Sequence, residues 1–255
     1  MGPRIMLRRF VIIPLCLTFG IGLASAEAQE TIASDRPGIG SGSHVLSAGT
    51  VQLEVGVAFT SAGLFDSYGL GQTLLRFGLP GLEVQALLNS VVVQRGPGGD
   101  AEGVEDLGIG VKARLLEQPD DGLAVSALAA ITAPTGAAFV SNDEWVPSAA
   151  LLADLNLTDR LGVSANLGYQ VGVGSIEDVF SVVLTPGISL PGRDAIGVYF
   201  GYAGFCAGAG NEHWLEAGIT LLASRNLQFD VNGGIETGNN DYFLGFGIAT
   251  RWVGP

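Results

Sequence analysis

The sequence is short of the side chains on which most catalytic and nucleic-acid readings depend. Its 255 residues include two His, two Cys and 12 Lys and Arg, against 25 Asp and Glu. Neither His44-Val45-Leu46 nor His213-Trp214-Leu215 forms a His-x-Ser nucleophile motif, and His and Cys do not cluster at ligand spacings. The expectation is no catalytic residue, no cofactor and no metal. Clustered Lys and Arg, which phosphate backbones require, are missing, so nucleic acid is not an expected partner. The same acidity opposes polybasic attachment to anionic lipid. Long apolar runs are missing too. A mean hydropathy of +0.41 would suit membrane helices, yet beyond the N-terminus no uninterrupted apolar stretch reaches the roughly 18 residues a spanning helix needs.

The N-terminus is the exception. Arg4, Arg8 and Arg9 precede an apolar stretch over residues 10–23, followed by Ala24-Ser25-Ala26. This is the layout of a secretory signal peptide over residues 1–26, with Ala26-Glu27-Ala28 as a second cleavage site and an uncleaved anchor as the alternative. Ile13-Pro14-Leu15 before Cys16 lacks the small residues of a lipobox. Cleavage at either site leaves Cys206 alone, which excludes an internal disulfide and a paired-Cys metal motif. Cys206, in a Gly/Ala-rich stretch, reads as a buried or passive thiol.

Residues 27–49 carry Gly, Ser and Pro without a lasting period, which suggests an irregular segment. From residue 50 to 255 a strand rhythm takes over. In Val51-Gln52-Leu53-Glu54-Val55-Gly56-Val57-Ala58-Phe59 every odd position is apolar, the period-two signature of a strand with one hydrocarbon-like face. The pattern returns at residues 107–115, 161–171, 227–236 and 242–252, and more weakly near 69–78, 82–93, 123–133, 147–157, 179–190, 195–202 and 213–223. About twelve strands of about ten residues result, the length that crosses a bilayer as tilted β-structure. Turns at 79–81, 117–121, 158–160, 191–194 and 224–226 are short, and the intervening loops at 60–68, 94–104, 135–145 and 203–212 are mostly longer. That asymmetry belongs to outer-membrane barrels with periplasmic turns and external loops. An even strand number leaves both termini periplasmic.

Phe59, Trp145, Tyr169, Phe180, Tyr202, Trp214 and Tyr242 fall near loop-side strand ends, and Phe77 and Trp252 near turn-side ends. Such a distribution suggests two aromatic girdles. Pro186 falls mid-strand, where its missing N–H implies a bulge or break. Adjacent Leu87 and Leu88 blur one register.

The period assigns Glu54, Arg76, Glu83, Asp106, Lys112, Arg114, Asp154, Glu216, Asp230, Glu236 and Arg251 to the inner face as candidates to line the lumen. A charge facing lipid at midplane would cost about 2–4 kcal/mol. Two readings follow. These charges pair across strands and seal the barrel, or they line a narrow polar passage.

Ser34-Asp35-Arg36-Pro37-Gly38, followed by Val45-Leu46-x-x-Gly49-x-x-Gln52-Leu53-Glu54-x-Gly56, resembles the outer-membrane transporter-like family of the meta-pathway of phenol degradation. Residues 106–115 and Ala133-Pro134-Thr135-Gly136 are similar to that family too. The resemblance implies an all-β, antiparallel up-and-down transmembrane barrel that lets small molecules, aromatic or hydrophobic ones among them, cross the outer membrane. It implies lipid and small solutes as partners, and the missing catalytic motifs leave no enzymatic activity to expect. A sealed structural or surface-interaction barrel is the alternative. Asp35 and Arg36 are candidates for an N-terminal plug folded into the barrel mouth, where Arg36 would pair with inner-face acids such as Glu54 or Glu236, and a disordered periplasmic tail over residues 27–49 is the alternative.

Overall fold

The computed structural model describes residues 31–36, 38–88, 90–118 and 122–253. The expected signal peptide lies outside them. The strands are β1 (Thr50–Ala62), β2 (Phe65–Leu79), β3 (Leu82–Leu88), β4 (Val91–Arg95), β5 (Ala101–Val104), β6 (Leu107–Gln118), β7 (Leu123–Ala133), β8 (Val146–Asn156), β9 (Leu161–Gln170), β10 (Val179–Leu190), β11 (Arg193–Ala207), β12 (Gly210–Ser224), β13 (Leu227–Glu236) and β14 (Tyr242–Val253). Every pairing is antiparallel between neighbours. β1 pairs with both β2 and β14, so the sheet closes on itself.

The fourteen strands make twelve staves. β3 and β4 lie end to end along β2, and β6 and β5 continue the pairing in the same way. The interruptions share one cause. Glu83 and Gln85 are buried while Leu82, Val84 and Leu88 are exposed. Past the break, Ser90 and Val92 are buried and Val91 is exposed. The inward set has shifted from odd to even residues, which takes one extra residue. β2 absorbs its own extra residue at Gly71, whose φ of +78° is open to glycine. Leu87 turns inward against Gly108 and Leu88 outward, which settles the blurred register.

Elsewhere the period is unbroken. β10 alternates buried Ser181, Val183, Thr185, Gly187 and Ser189 with exposed Leu184, Pro186 and Ile188. The bulge expected at Pro186 does not occur. Pro186 pairs with Val163 of β9, and the β11 register resumes in step from Leu184↔Tyr202 to Gly187↔Tyr199. The missing N–H therefore omits one step of the β11 ladder without displacing the strand. The outward face carries Ile109, Leu151, Leu167, Phe200, Val231, Leu244 and Phe246, all exposed. A continuous apolar belt of this kind is stable against hydrocarbon rather than water.

Two corrections concern the rims. The loops expected at 60–68 and 203–212 are hairpins whose strands run on to turns at residues 63–64 and 208–209. Trp214 does not join the outer girdle. It shares its face with buried Glu216, and its ring meets Phe243 at 5.7 Å. Phe59, Tyr68 and Tyr242 do pack together, with centroids 5.1 and 5.8 Å apart. Cys206 is exposed, not buried. The chain joins and leaves the barrel at one rim, where Thr50 pairs with Val253 beside the short turns.

Candidate functional site: the lumen and its inserted segment

The described residues of 31–49 belong to no strand, yet most of them are buried. Their backbone polar groups bond to inward side chains. The path starts at the turn rim, where Ile32 N–H donates to Arg225 O and Arg251 donates to Thr31 O. It rises to the middle of the barrel at Asp35 and Arg36. It then crosses to β12, where Ile39 N–H donates to Glu216 at 3.0 Å. It continues to β9, where Asn166 accepts from Ser41 N–H and donates to Ser41 O, and to β8, where Asp154 accepts from Ser43 N–H and Oγ. It returns beside β2 and β3 and leaves at the turn rim, where Gly49 N–H donates to Gly78 O.

One wall of the lumen holds a cluster of ions with almost no contact to solvent. Arg76 forks onto Glu83, with Nε and Nη2 donating at 2.7 and 2.9 Å. Its Nη1 donates to Glu54 and to Ala33 O, each at 3.0 Å. Lys112 Nζ donates to Asp35 at 2.7 Å and to Gly42 O at 3.1 Å. Glu54 accepts from Ser34 Oγ and Asp35 N–H, and Glu83 from Leu46 N–H. Arg76, Lys112, Glu54 and Glu83 are 0% exposed. Desolvating this many charges is tolerable only because nearly every lone pair and proton is matched. Removing one partner from such a cluster costs about 3–5 kcal/mol. The cluster holds three carboxyls against two cations. Burial raises the Asp35 carboxyl to about 6, with Arg76 and Lys112 opposing and Glu54 and Glu83 assisting.

Arg36 lies on the other side of this cluster. Its guanidinium occupies the space that side chains at Gly56 and Gly247 would fill. It reaches Gln72 and Phe246 O at 3.5 Å and Asp230 at 3.8 Å. The acid beside Arg36 is thus Asp230, not Glu54 or Glu236. Glu54 is engaged by Arg76, and Glu236 sits at the loop rim, where it accepts from Gly238 and His213 N–H.

The remaining candidates scatter. Arg114 is at the turn rim, bridged to Glu117 at 2.7 Å and donating to Val45 O. Arg251 binds Asn226 at the same rim. Asp106 is not part of the lumen cluster, because the break between β5 and β6 turns it toward the loop at 134–145. There it accepts from Thr135 N–H, Gly136 N–H, Ser141 Oγ and Asn142 N–H at 2.8–2.9 Å. That loop presses Ala137 and Phe139 onto the face of Gly103. Tyr199 was not anticipated. It is buried over Gly218, near Gly38 and Glu216. Its signal in the sequence was an aromatic with a polar tip between inward Gly197 and Gly201.

Sequence and structure comparisons agree with this architecture. The family described as "Putative MetA-pathway of phenol degradation" matches residues 34–252. No curated protein matches the chain in sequence. Among solved structures, the chain is similar to the COG4313 outer membrane channel from Pseudomonas putida F1, with a TM-score of 0.62 and 15% identity over 82% of this chain and 97% of that one. It is also similar to the NanC porin (TM-score 0.55, 8% identity, 78% and 98% covered) and the KdgM porin (0.53, 10%, 78% and 98%). At these identities the likeness establishes the fold.

Proposed function

Since the chain belongs to the family of the putative MetA-pathway of phenol degradation, we propose that it is a passive outer-membrane channel for small molecules, narrowed from within by residues 31–49. The observation that carries this reading is the polarity of the interior. A sealed small barrel fills its lumen with packed side chains. Here the buried apolar cluster among the described residues is Leu128 and Leu152, and the inward staves carry Gln, Asn, Ser, Asp and Glu. The segment that crosses the lumen belongs to no strand and is held by hydrogen bonds to inward side chains together with its buried Ile32, Ala33, Val45 and Leu46, so it narrows the passage without being part of the wall.

The family description supports small aromatic or hydrophobic compounds as solutes. In this reading the lumen-facing Glu54, Arg76, Glu83, Lys112, Asp154, Glu216 and Asp230 set the polar lining and hold the segment, and Asp35 and Arg36 are its anchoring residues. Outer-membrane lipid covers the apolar belt. Both termini face the periplasm, because the chain joins and leaves the barrel at the short-turn rim. The protein performs no chemistry on its solutes. A sealed structural barrel is the competing reading, favoured by the 0% exposure of the Arg76 cluster. Swelling of liposomes carrying the purified protein separates the two. Swelling in small neutral solutes supports the channel, and liposomes that stay tight to every small solute contradict it.

A further inference from the structure

We infer that this passage prefers cations and neutral solutes and rejects anions, organic acids included. The inference rests on the channel reading above and specifies the charge of what passes. Three observations carry it.

The first is the loop rim. The six connections there span residues 63–64, 96–100, 134–145, 171–178, 208–209 and 237–241. They contain Asp100, Asp143, Glu144, Glu177, Asp178 and Asp241, and no Lys or Arg. Several of these carboxylates accept hydrogen bonds from backbone donors. Gly63 N–H bonds Asp241 at 2.9 Å, Ala209 N–H bonds Glu177 at 2.7 Å and Gly172 N–H bonds Asp178 at 2.8 Å. The last of these keeps the Asp178 carboxyl below its ordinary range. A backbone N–H stabilises a carboxylate without cancelling its charge. Arg95 adjoins these loops, 3.8 Å from Asp100 and well exposed.

The second is the opposite rim, where Arg114, Arg160, Arg193, Arg225 and Arg251 stand among Glu117, Asp159 and Asp194, with Arg114 bridged to Glu117 at 2.7 Å and Arg160 4.0 Å from Asp194. The turn rim is therefore of mixed charge, and the mouth of a single sign is the acidic loop rim. A mouth lined by one sign of charge raises the local concentration of counter-ions.

The third lies mid-lumen and is independent of the rims. The Asp230 side chain is fully buried, and neither of its carboxylate oxygens accepts a hydrogen bond. Arg36 stands 3.8 Å away without donating to it. Asn232, nine-tenths buried on the same face, neighbours the Tyr199 hydroxyl. Glu216, 2% exposed, takes its hydrogen bonds from the Ile39 N–H and forms no ion pair among the described residues. Buried acceptors in native proteins find a donor or a cation. Asp230 and Glu216 point to a stretch of passage that receives a hydrated cation or a donor-rich solute. Arg76 and Lys112 offer nothing comparable to an anion, because carboxylates and carbonyls saturate them, and the third inward cation, Arg36, faces the Asp230 carboxylate.

The full mature chain in planar bilayers under a KCl gradient tests this. The expected reversal potential has the sign of a K+ permeability about threefold or more above that of Cl−. In the rim variant Asp143→Asn/Glu144→Gln and in the lumen variant Asp230→Asn, at mildly alkaline pH, that ratio falls by about half or more. Asp143 and Glu144 are exposed loop residues, so the rim variant reports even where the buried one fails to assemble. A current that favours Cl−, or a ratio unchanged in the rim variant, overturns the cation preference and leaves the channel reading intact. No current at all overturns the channel reading and this inference with it.

Discussion

Arg76 and Lys112 reach the lumen for the reason that any charge in a barrel must: the alternative is lipid. Period-two alternation alone puts them and Glu54 and Glu83 on one face. What they bind there follows from a second fact, that three carboxyls share two cations. The surplus falls on Asp35, the member carried by the inserted segment. Its carboxyl keeps its proton up to about 6 when inserted, against an ordinary 3.8. Between those values the inserted state binds more protons than a released segment does, so insertion strengthens as pH falls through that window and weakens above it. Protection of residues 33–46 against hydrogen exchange, corrected for intrinsic rates, is expected to be higher at about pH 4.5 than at about pH 7.5. Asp35→Asn should flatten the difference. Protection that drops on acidification would contradict the assignment. The inward positions were legible in the sequence because each strand carries its own period. Their partners were not. The bonds from the segment to Glu54 and Asn166 span 19 and 125 residues, and a Gly/Ser/Pro-rich stretch has no period from which to read a destination. Arg36 shows the limit: charge complementarity offered several acids, and the space at Gly56 and Gly247 selects Asp230.

At the scale of elements, the paired breaks in the staves decide what Asp106 does. Counting back from Lys112 in steps of two puts Asp106 inside the lumen. The extra residue between β5 and β6 removes it from that alternation, and its carboxylate becomes the anchor of the loop at 134–145. Four donors converge on it, and a fifth bond, from Ala137 N–H to Val104 O at 2.7 Å, ties the same loop to β5. Asp106→Ala leaves those donors without their acceptor at a cost of about 1–3 kcal/mol. Amide exchange over residues 135–142 should then quicken by tenfold or more, about 1.4 kcal/mol, with the barrel strands unchanged. Exchange as slow as in the native chain would show that the loop is held by something else. Pro186 teaches the converse. A residue that breaks the strand rule on paper sits in an unbroken strand, because in an antiparallel ladder each N–H serves one neighbour only. β9 keeps its pairing and β11 loses one step. The segments 60–68 and 203–212 look like loops in the sequence for a related reason: Gly-rich hairpins beyond the apolar belt lose the hydrophobic alternation while keeping their ladder bonds.

At the scale of the molecule, the strand count, the closure and the apolar exterior were all legible, since twelve repetitions of one simple pattern average out local errors. Openness was not, because it depends on where one aperiodic segment lies. In the structure that segment enters and leaves by the turn rim and bonds to staves around the circumference. If it narrows a channel, its removal widens one. Single-channel conductance of the purified protein, native against a chain lacking residues 31–42, measures this directly. The account predicts a clearly larger conductance in the shortened chain, at the same heat-modifiable gel mobility that marks a folded barrel. An unchanged conductance in a folded, shortened chain would contradict it.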